Sequence, residues 1–125
     1  MNIFHEELQE RWKTFSIFEQ MANIGTEVGR AIRWKNKQNQ QMSKNAFYRS
    51  LELIDFTIDD PKNKTGLKEI TRMRELLVDY FMGENIYKSS DQSWEKYFLP
   101  FNISTRDKNQ YLSCNLSVIA LFTFS

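Results

Sequence analysis

Apolar side chains recur at steps of three and four along most of this chain and are interrupted by polar breaks, the pattern of a set of amphipathic helices. Ile17, Met21, Ile24, Val28 and Ile32 form the clearest stripe. Ser16 stands before it as a cap, and Glu19 completes a capping box. The stripe also carries Gly25 and Gly29, four residues apart. A glycine inside a helix costs about 1 kcal/mol, so the pair predicts close approach by a neighbouring helix, more often within one chain than between two.

Before that stripe, Phe4, Leu8, Trp12 and Phe15 predict a short helix over 3–15. After it, the polar run 36–42 reads as a connection. A third helix is expected from near Ser43, burying Ala46, Phe47, Leu51, Ile54 and Ile58 and ending at Asp60-Pro61, because the residue before a proline leaves the helical region. Thr65 is the expected cap of a fourth helix from Leu67 to Phe81, with Gly83 as a left-handed terminator. Ser90 or Asp91 opens a last short helix with Trp94, Tyr97, Phe98 and Phe101, limited by Pro100.

Short connections make successive helices antiparallel neighbours. The expected fold is all-α, an antiparallel up-and-down bundle of four to five helices over residues 1–103, with a non-helical or poorly ordered tail. That tail, 104–125, has no charged residue after Lys108, and Leu112, Cys114, Leu116, Val118, Ala120, Phe122 and Phe124 alternate with other residues at the period of a strand. A sticky tail, a strand that pairs with another chain, and a terminus altered by a frameshift all fit; a segment foreign to the core is favoured.

One charge breaks the helical pattern. Leu67, Ile70, Leu77, Val78 and Phe81 fall on one side of the fourth helix, and Arg74 projects from the middle of that side. A guanidinium keeps its charge, so an inward Arg74 needs a carboxylate or must open onto a pocket. A buried ion pair with Glu27, Glu52 or Asp55 is favoured over a phosphate contact.

Composition changes this picture little. The chain has 125 residues, 41% apolar and 26% charged, with a net charge of +1, which fits one soluble domain and attracts no polyanion as a whole. A lone cysteine and the absence of a signal-like start predict cytoplasmic residence, and no segment is apolar enough for a membrane span. Local charge is more informative. Between Glu27 and Glu52 no acid appears, while Arg30, Arg33, Lys35, Lys37, Lys44 and Arg49 supply positive charge. Arg30, Arg33, Trp34 and Lys37 share the outward face of the second helix, a combination suited to phosphate contact and base stacking on RNA or DNA, although a solvated loop is the commoner meaning.

The third helix is opposite in character. Tyr48, Glu52, Asp55 and Asp59 line one side, where carboxylates more often form a solvated face than a cation site. Glu7-x-x-Glu10 and Glu52-x-x-Asp55 match the letters of the magnesium motifs of all-α nucleotide pyrophosphatases, but the two pairs lie far apart. Lys68, Arg72, Glu75 and Asp79 predict a ladder of exposed ion pairs on the fourth helix. With His5 the only histidine and no glycine-rich phosphate loop, histidine-based catalysis, histidine-rich metal sites and P-loop chemistry have no support; no catalytic residue, metal ligand or cofactor is assigned.

The runs Glu19-Gln-Met-Ala-Asn-Ile-Gly, Asn45-Ala-Phe-Tyr-Arg, Leu51-Glu-Leu-Ile-Asp and Arg72-Met-Arg-Glu-Leu-Leu-Val-Asp-Tyr-Phe resemble a family of small uncharacterised prokaryotic proteins over residues 17 to about 102. The resemblance implies a helical fold. In helix number and length the chain is also similar to HEPN-type bundles, some of them RNases and others partners of nucleotidyltransferases. It lacks their Arg-then-His nuclease motif, which disfavours RNase activity of that type and leaves a non-catalytic partner role open. The expected function is a non-enzymatic interaction protein that binds a protein partner or itself, with a nucleic-acid contact through the basic face. A magnesium-dependent nucleotide-processing enzyme, or a substrate-binding subunit beside a nucleotidyltransferase, is the alternative.

Overall fold

The computed structural model describes the backbone of residues 3–106 and the side chains of residues 7–102. Within those limits the chain is all-α, with α1 at Ile3–Trp12, α2 at Ile17–Asn36, α3 at Gln40–Asp59, α4 at Leu67–Met82 and α5 at Asp91–Arg106. A 3-10 turn, Pro61–Gly66, joins α3 to α4. The alternating segment beyond Arg106 lies outside the described residues, as does the Phe4 side chain.

Contacts between helix ends fix the directions. Ser43, near the start of α3, donates to the carbonyl of Ala31 late in α2 at 2.8 Å. Phe18, at the start of α2, packs 5.9 Å from Phe101 in the second half of α5. Lys35, at the end of α2, meets Tyr80 near the end of α4 and Asp91 at the start of α5. Thus α2 and α4 run one way and α3 and α5 the other, as the short connections predict. Helix α2 is central: it packs on α3 and α5, and α3 packs in turn on α4.

The core takes Met21, Ile24 and Val28 from α2, Phe47 and Ile54 from α3, Ile70, Met73 and Leu77 from α4, and Trp94, Phe98 and Phe101 from α5. Burying side chains of this size, each worth about 1.5–3 kcal/mol, is what holds five short helices together. The Ser16 capping box forms as expected, the hydroxyl accepting from the Glu19 N–H at 3.2 Å and the Glu19 carboxylate from the Ser16 N–H at 3.0 Å. Gly25 is a point of close approach within the chain, with the Phe98 ring directly over it.

A buried polar knot ties the other end of the bundle. The Trp12 indole donates to the Thr57 hydroxyl, and the Gln20 amide donates to the Trp12 carbonyl and to Asp60, each at 2.9 Å. Asn63 donates to the Gln20 side-chain oxygen and to the Thr57 carbonyl, also at 2.9 Å. Lys62 reaches back to neutralise Asp60. Every member finds partners, the condition under which burying polar groups is tolerated.

Several boundaries differ from the pattern-based expectation, each for a local reason. Helix α3 begins at Gln40 because the Asn39 side chain accepts from the Met42 N–H at 3.1 Å, so only Lys37–Asn39 remains of the expected connection. Gln38 closes that turn at φ 63. Thr65 does not cap α4; the 3-10 turn leads straight into the helix through Gly66, which has no side chain to cap with. Gly83 does end α4, but in an extended rather than left-handed conformation (φ −104). Space selects glycine there, since a Cβ would come 3.0 Å from the Asp79 carbonyl oxygen.

Pro100 does not stop α5, which runs on to Arg106 and past the expected boundary at 103. An internal proline costs about 3 kcal/mol. Phe98 and Phe101, both buried against the rest of the core, offset that cost.

Candidate functional site

Arg74 is not the buried charge that the stripe predicted. The centre of the inward face of α4 runs through Ile70, Met73 and Leu77, whereas Leu67, at the first turn, is 37% exposed. That centre leaves Arg74 on the flank, where its Nε donates to Asp55 at 2.8 Å and Nη2 reaches the second carboxylate oxygen at 3.4 Å. Asp55 is thus the partner, but its side chain is 52% exposed and that of Arg74 36%, so the pair is a solvent-facing clip between α3 and α4. Of the three carboxylates expected to meet Arg74, Glu27 is the buried one, and it pairs with Arg30 on its own helix at 3.0 Å.

The basic face is smaller than the sequence suggested. Arg30 is occupied by Glu27, and the Lys37 ammonium lies 5.4 Å over the Trp34 ring, covering the surface on which a base would stack. Trp34 itself is half-buried, while Arg33 and Lys37 are exposed. On α3, Asp55 is taken by Arg74, Asp59 is exposed and Glu52 is half-buried; among the described residues no three of His, Cys, Asp or Glu are grouped to hold a metal ion. The α4 ladder fails at Asp79, whose carboxylate instead accepts the N–H groups of Ile86 and Tyr87 at 2.9 and 3.1 Å.

Those two bonds shape the site that sequence reasoning missed. They turn the chain after Gly83 back over α4, and Asn85 locks the turn by donating to the Ser89 carbonyl and accepting the Ser89 N–H, both at 2.9 Å. Asn85 and Lys88 are held in left-handed conformations, φ 54 and 56. For asparagine that is common, but for lysine it stores strain on the order of 1 kcal/mol. Strain of this kind persists only where the surroundings impose it, and it concentrates at binding sites.

Beneath this loop, α4 and α5 leave a cleft of about 360 Å³. From α4 it is lined by Glu69, Arg72, Met73 and Leu76, which share one helical face; from α5 by Ser93, Trp94 and Tyr97; and from the loop by Tyr87, Lys88 and Ser89. Two of the lining residues each carry a buried atom without any hydrogen-bond partner: Glu69 its Oε2, an acceptor, and Trp94 its Nε1, a donor. Trp94 is only 5% exposed. Burial pushes the Tyr97 phenol far up from its ordinary value, and the charge of Glu69 adds to the effect, so Tyr97 stays protonated.

Orphaned polar atoms cost about 1–3 kcal/mol each, and proteins satisfy the great majority of theirs. A donor and an acceptor left without partners on two residues that line one cleft are therefore the chemically conspicuous feature among the described residues. The signal was present in the sequence as Glu69, Arg72 and Leu76 on one face of α4 and Trp94 and Tyr97 at spacing three on α5. Nothing in the spacing showed that the two faces meet across a gap.

At one end of α4 and α5 a second polar group clamps the helices together. Lys35 donates to Asp91 at 2.8 Å and to the Tyr80 hydroxyl at 3.0 Å, Tyr80 donates to the same carboxylate, and Asn36 donates to its other oxygen at 3.2 Å. Burial pulls Lys35 down and pushes Asp91 up, but these hydrogen bonds outweigh it, so Lys35 stands above and Asp91 below its ordinary value. Burial and the bond to Asp91 raise Tyr80. Every group in the clamp is engaged, so it braces the end of the bundle.

Comparison of the chain with protein-family models, with curated proteins and with solved structures returns no match. Among the described residues no helix is long and apolar enough to cross a membrane.

Proposed function

We propose that this chain is a non-enzymatic interaction protein that holds a small polar ligand in the cleft between α4 and α5. The observation that carries the reading is that two residues lining a single cavity, Trp94 and Glu69, each hold a buried polar atom without a partner, Nε1 and Oε2. A ligand able to accept from one and donate to the other would recover the cost of leaving them open. The cavity's volume lies at the small end of the range for ligand sites, and its walls combine apolar and aromatic surface with a few polar groups, the usual make-up of such sites. A binding role, rather than catalysis, is favoured because the lining offers recognition groups but no nucleophile paired with a base.

The test is direct. Of the three tryptophan indole N–H signals in a 15N-correlated NMR spectrum, that of Trp94 is assigned by its loss in Trp94→Phe. In a screen of small metabolites, a true ligand moves the Trp94 signal downfield and raises the melting temperature of the full chain. A broad screen in which no compound shifts that signal overturns the reading.

A further inference from the structure

Three charged side chains line the α4–α5 cleft, Glu69 and Arg72 from α4 and Lys88 from the loop above it. Among the described residues none of the three is in an ion pair or a side-chain hydrogen bond. Glu69 and Arg72 stand three residues apart on one helix, the spacing at which opposite charges usually meet. Here they stay apart: Arg72 is exposed, as is Lys88, while Glu69 is half-buried. One Glu69 oxygen, Oε2, is shut in, and the other, also without a partner, is not. The carboxylate's charge is felt by the Tyr97 phenol, which belongs to the opposite wall. The acid therefore lies further in and the two cations at the mouth. The backbone of Lys88, held at φ 56 beside the Asn85–Ser89 hydrogen bonds, fixes where its side chain sets out.

On the reading that the cleft is a ligand site, these charges narrow the ligand class. A neutral molecule leaves all three unmet. An anion alone meets the two cations but faces Glu69, and a cation alone meets Glu69 but faces two like charges. A molecule carrying both signs meets all three. Its charges must match the spacing of their partners, and side chains at this helical interval have Cβ atoms about 5–6 Å apart. Two or three carbons between an ammonium and an anionic group span that distance. The aromatic lining adds attraction for the ammonium, since a cation is drawn to the face of a tyrosine or tryptophan ring. We propose that the α4–α5 cleft binds a small zwitterion, with its ammonium at Glu69 and its carboxylate or phosphate at Arg72 and Lys88.

Calorimetric titration of the full chain with two zwitterions and their single-charge halves tests each element. Phosphoethanolamine is compared with ethanolamine and ethyl phosphate, and γ-aminobutyrate with butylamine and butyrate. The zwitterion that fits is expected to bind about tenfold or more tighter than either of its halves, and which of the two it is identifies the anionic group. Glu69→Gln, a conservative change whose fold is checked by its melting curve, should erase the advantage over the anionic half. Arg72→Gln and Lys88→Gln should each reduce the advantage over the cationic half and leave that half's own binding no weaker.

Zwitterions that bind no better than their halves, or an advantage that survives Glu69→Gln, overturn the assignment. If neither zwitterion binds but another metabolite shifts the Trp94 indole signal, the assignment fails while the cleft remains a ligand site. If nothing shifts that signal, both fall together.

Discussion

Phe98 lies so close over Gly25 that a Cβ added to the glycine would come 2.8 Å from the ring's Cγ, nearer than real side chains sit. Gly29, one turn further along α2, has only the flexible end of Arg33 near the same added atom, at 3.4 Å. The two glycines therefore respond oppositely to alanine. Gly25→Ala gains about 1 kcal/mol of helix propensity but forces α5 off α2 at a cost of about 1–3 kcal/mol, so its melting temperature should fall by several degrees. Gly29→Ala keeps the propensity gain and should melt at or above the wild type. Thermal unfolding of the two variants side by side decides it: equal behaviour would mean that α5 does not press on Gly25.

Gln20 is fully buried and joins α1, α2 and the turn after α3 through both ends of its amide. Gln20→Leu keeps the volume but strands one N–H of the Asn63 amide and takes a hydrogen bond from Asp60 and from the Trp12 carbonyl, which keep Lys62 and the Phe15 N–H. A loss of about 2–4 kcal/mol in denaturant-derived stability follows. Thr57→Val is milder, about 1 kcal/mol, because it strands only the Trp12 indole. A Gln20→Leu variant as stable as the wild type would show that the knot contributes nothing net.

How much of this was legible in the sequence depends on the range of the interaction. The stripe of α2, its capping box at Ser16 and Glu19, and the stop at Asp60-Pro61 are set by neighbours a few residues apart, and all were readable. Pro100 was misread because what carries α5 through it is the burial of Phe98 and Phe101 against distant parts of the core, a tertiary gain that local propensity does not contain. Arg74 was misplaced by a rotation of the helix: Leu67, Val78 and Phe81 are on the flank, and Met73 takes the centre. The cleft was invisible for a third reason. Trp94 and Tyr97 write the same pattern whether they fill a core or line a gap, and only the path of the 83–90 loop, set by Asp79, separates the two.

Stability should fall at both pH extremes, for identifiable reasons. Asp60 and Asp91 are each pushed up by burial but held below the ordinary carboxylate value by stronger hydrogen bonds, from Lys62 and Gln20 in one case and from Lys35, Tyr80 and Asn36 in the other. A carboxylate depressed in the fold stabilises it fully above the unfolded value of about 3.9, and that contribution is lost as pH falls through the folded values. Lys35 and Tyr80 are raised, so their contribution is intact below about pH 10 and is lost as pH rises through their folded values. Asp91→Asn removes the anchor of the clamp and should flatten part of both flanks. Melting temperatures from pH 3 to 11 for the wild type and this variant provide the check; an unchanged profile would place the pH dependence elsewhere.

Any single strand laid across the outer face of α2 meets few available charges, because Arg30 is paired with Glu27. With Arg33 and Lys37 as the exposed cations that no carboxylate holds, the logarithm of affinity should fall with the logarithm of salt at a slope of about −1.4, taking about 0.7 per phosphate neutralised. Arg30→Gln should change that slope little, and Arg33→Gln should roughly halve it. A slope of −3 or steeper in filter binding would mean that a wider basic surface takes part.

Arg74 and Asp55 give the sharpest contrast between an expected role and the observed one. A buried guanidinium would make Arg74→Ala cost about 3–5 kcal/mol by stranding its partner away from water. With both side chains reaching solvent, the stranded carboxylate is simply hydrated, and the loss should stay below about 1 kcal/mol. The bidentate geometry, 2.8 and 3.4 Å, places the pair toward the upper part of that range. A double-mutant cycle of Arg74→Ala and Asp55→Ala should therefore return a coupling of about 0.5–1 kcal/mol that shrinks in high salt, since an exposed pair is screened. The same variants should leave the Trp94 indole signal and its response to ligand untouched, because neither residue lines the cleft. A coupling of several kcal/mol, insensitive to salt, would restore Arg74 to the interior and require α4 to be turned on its axis.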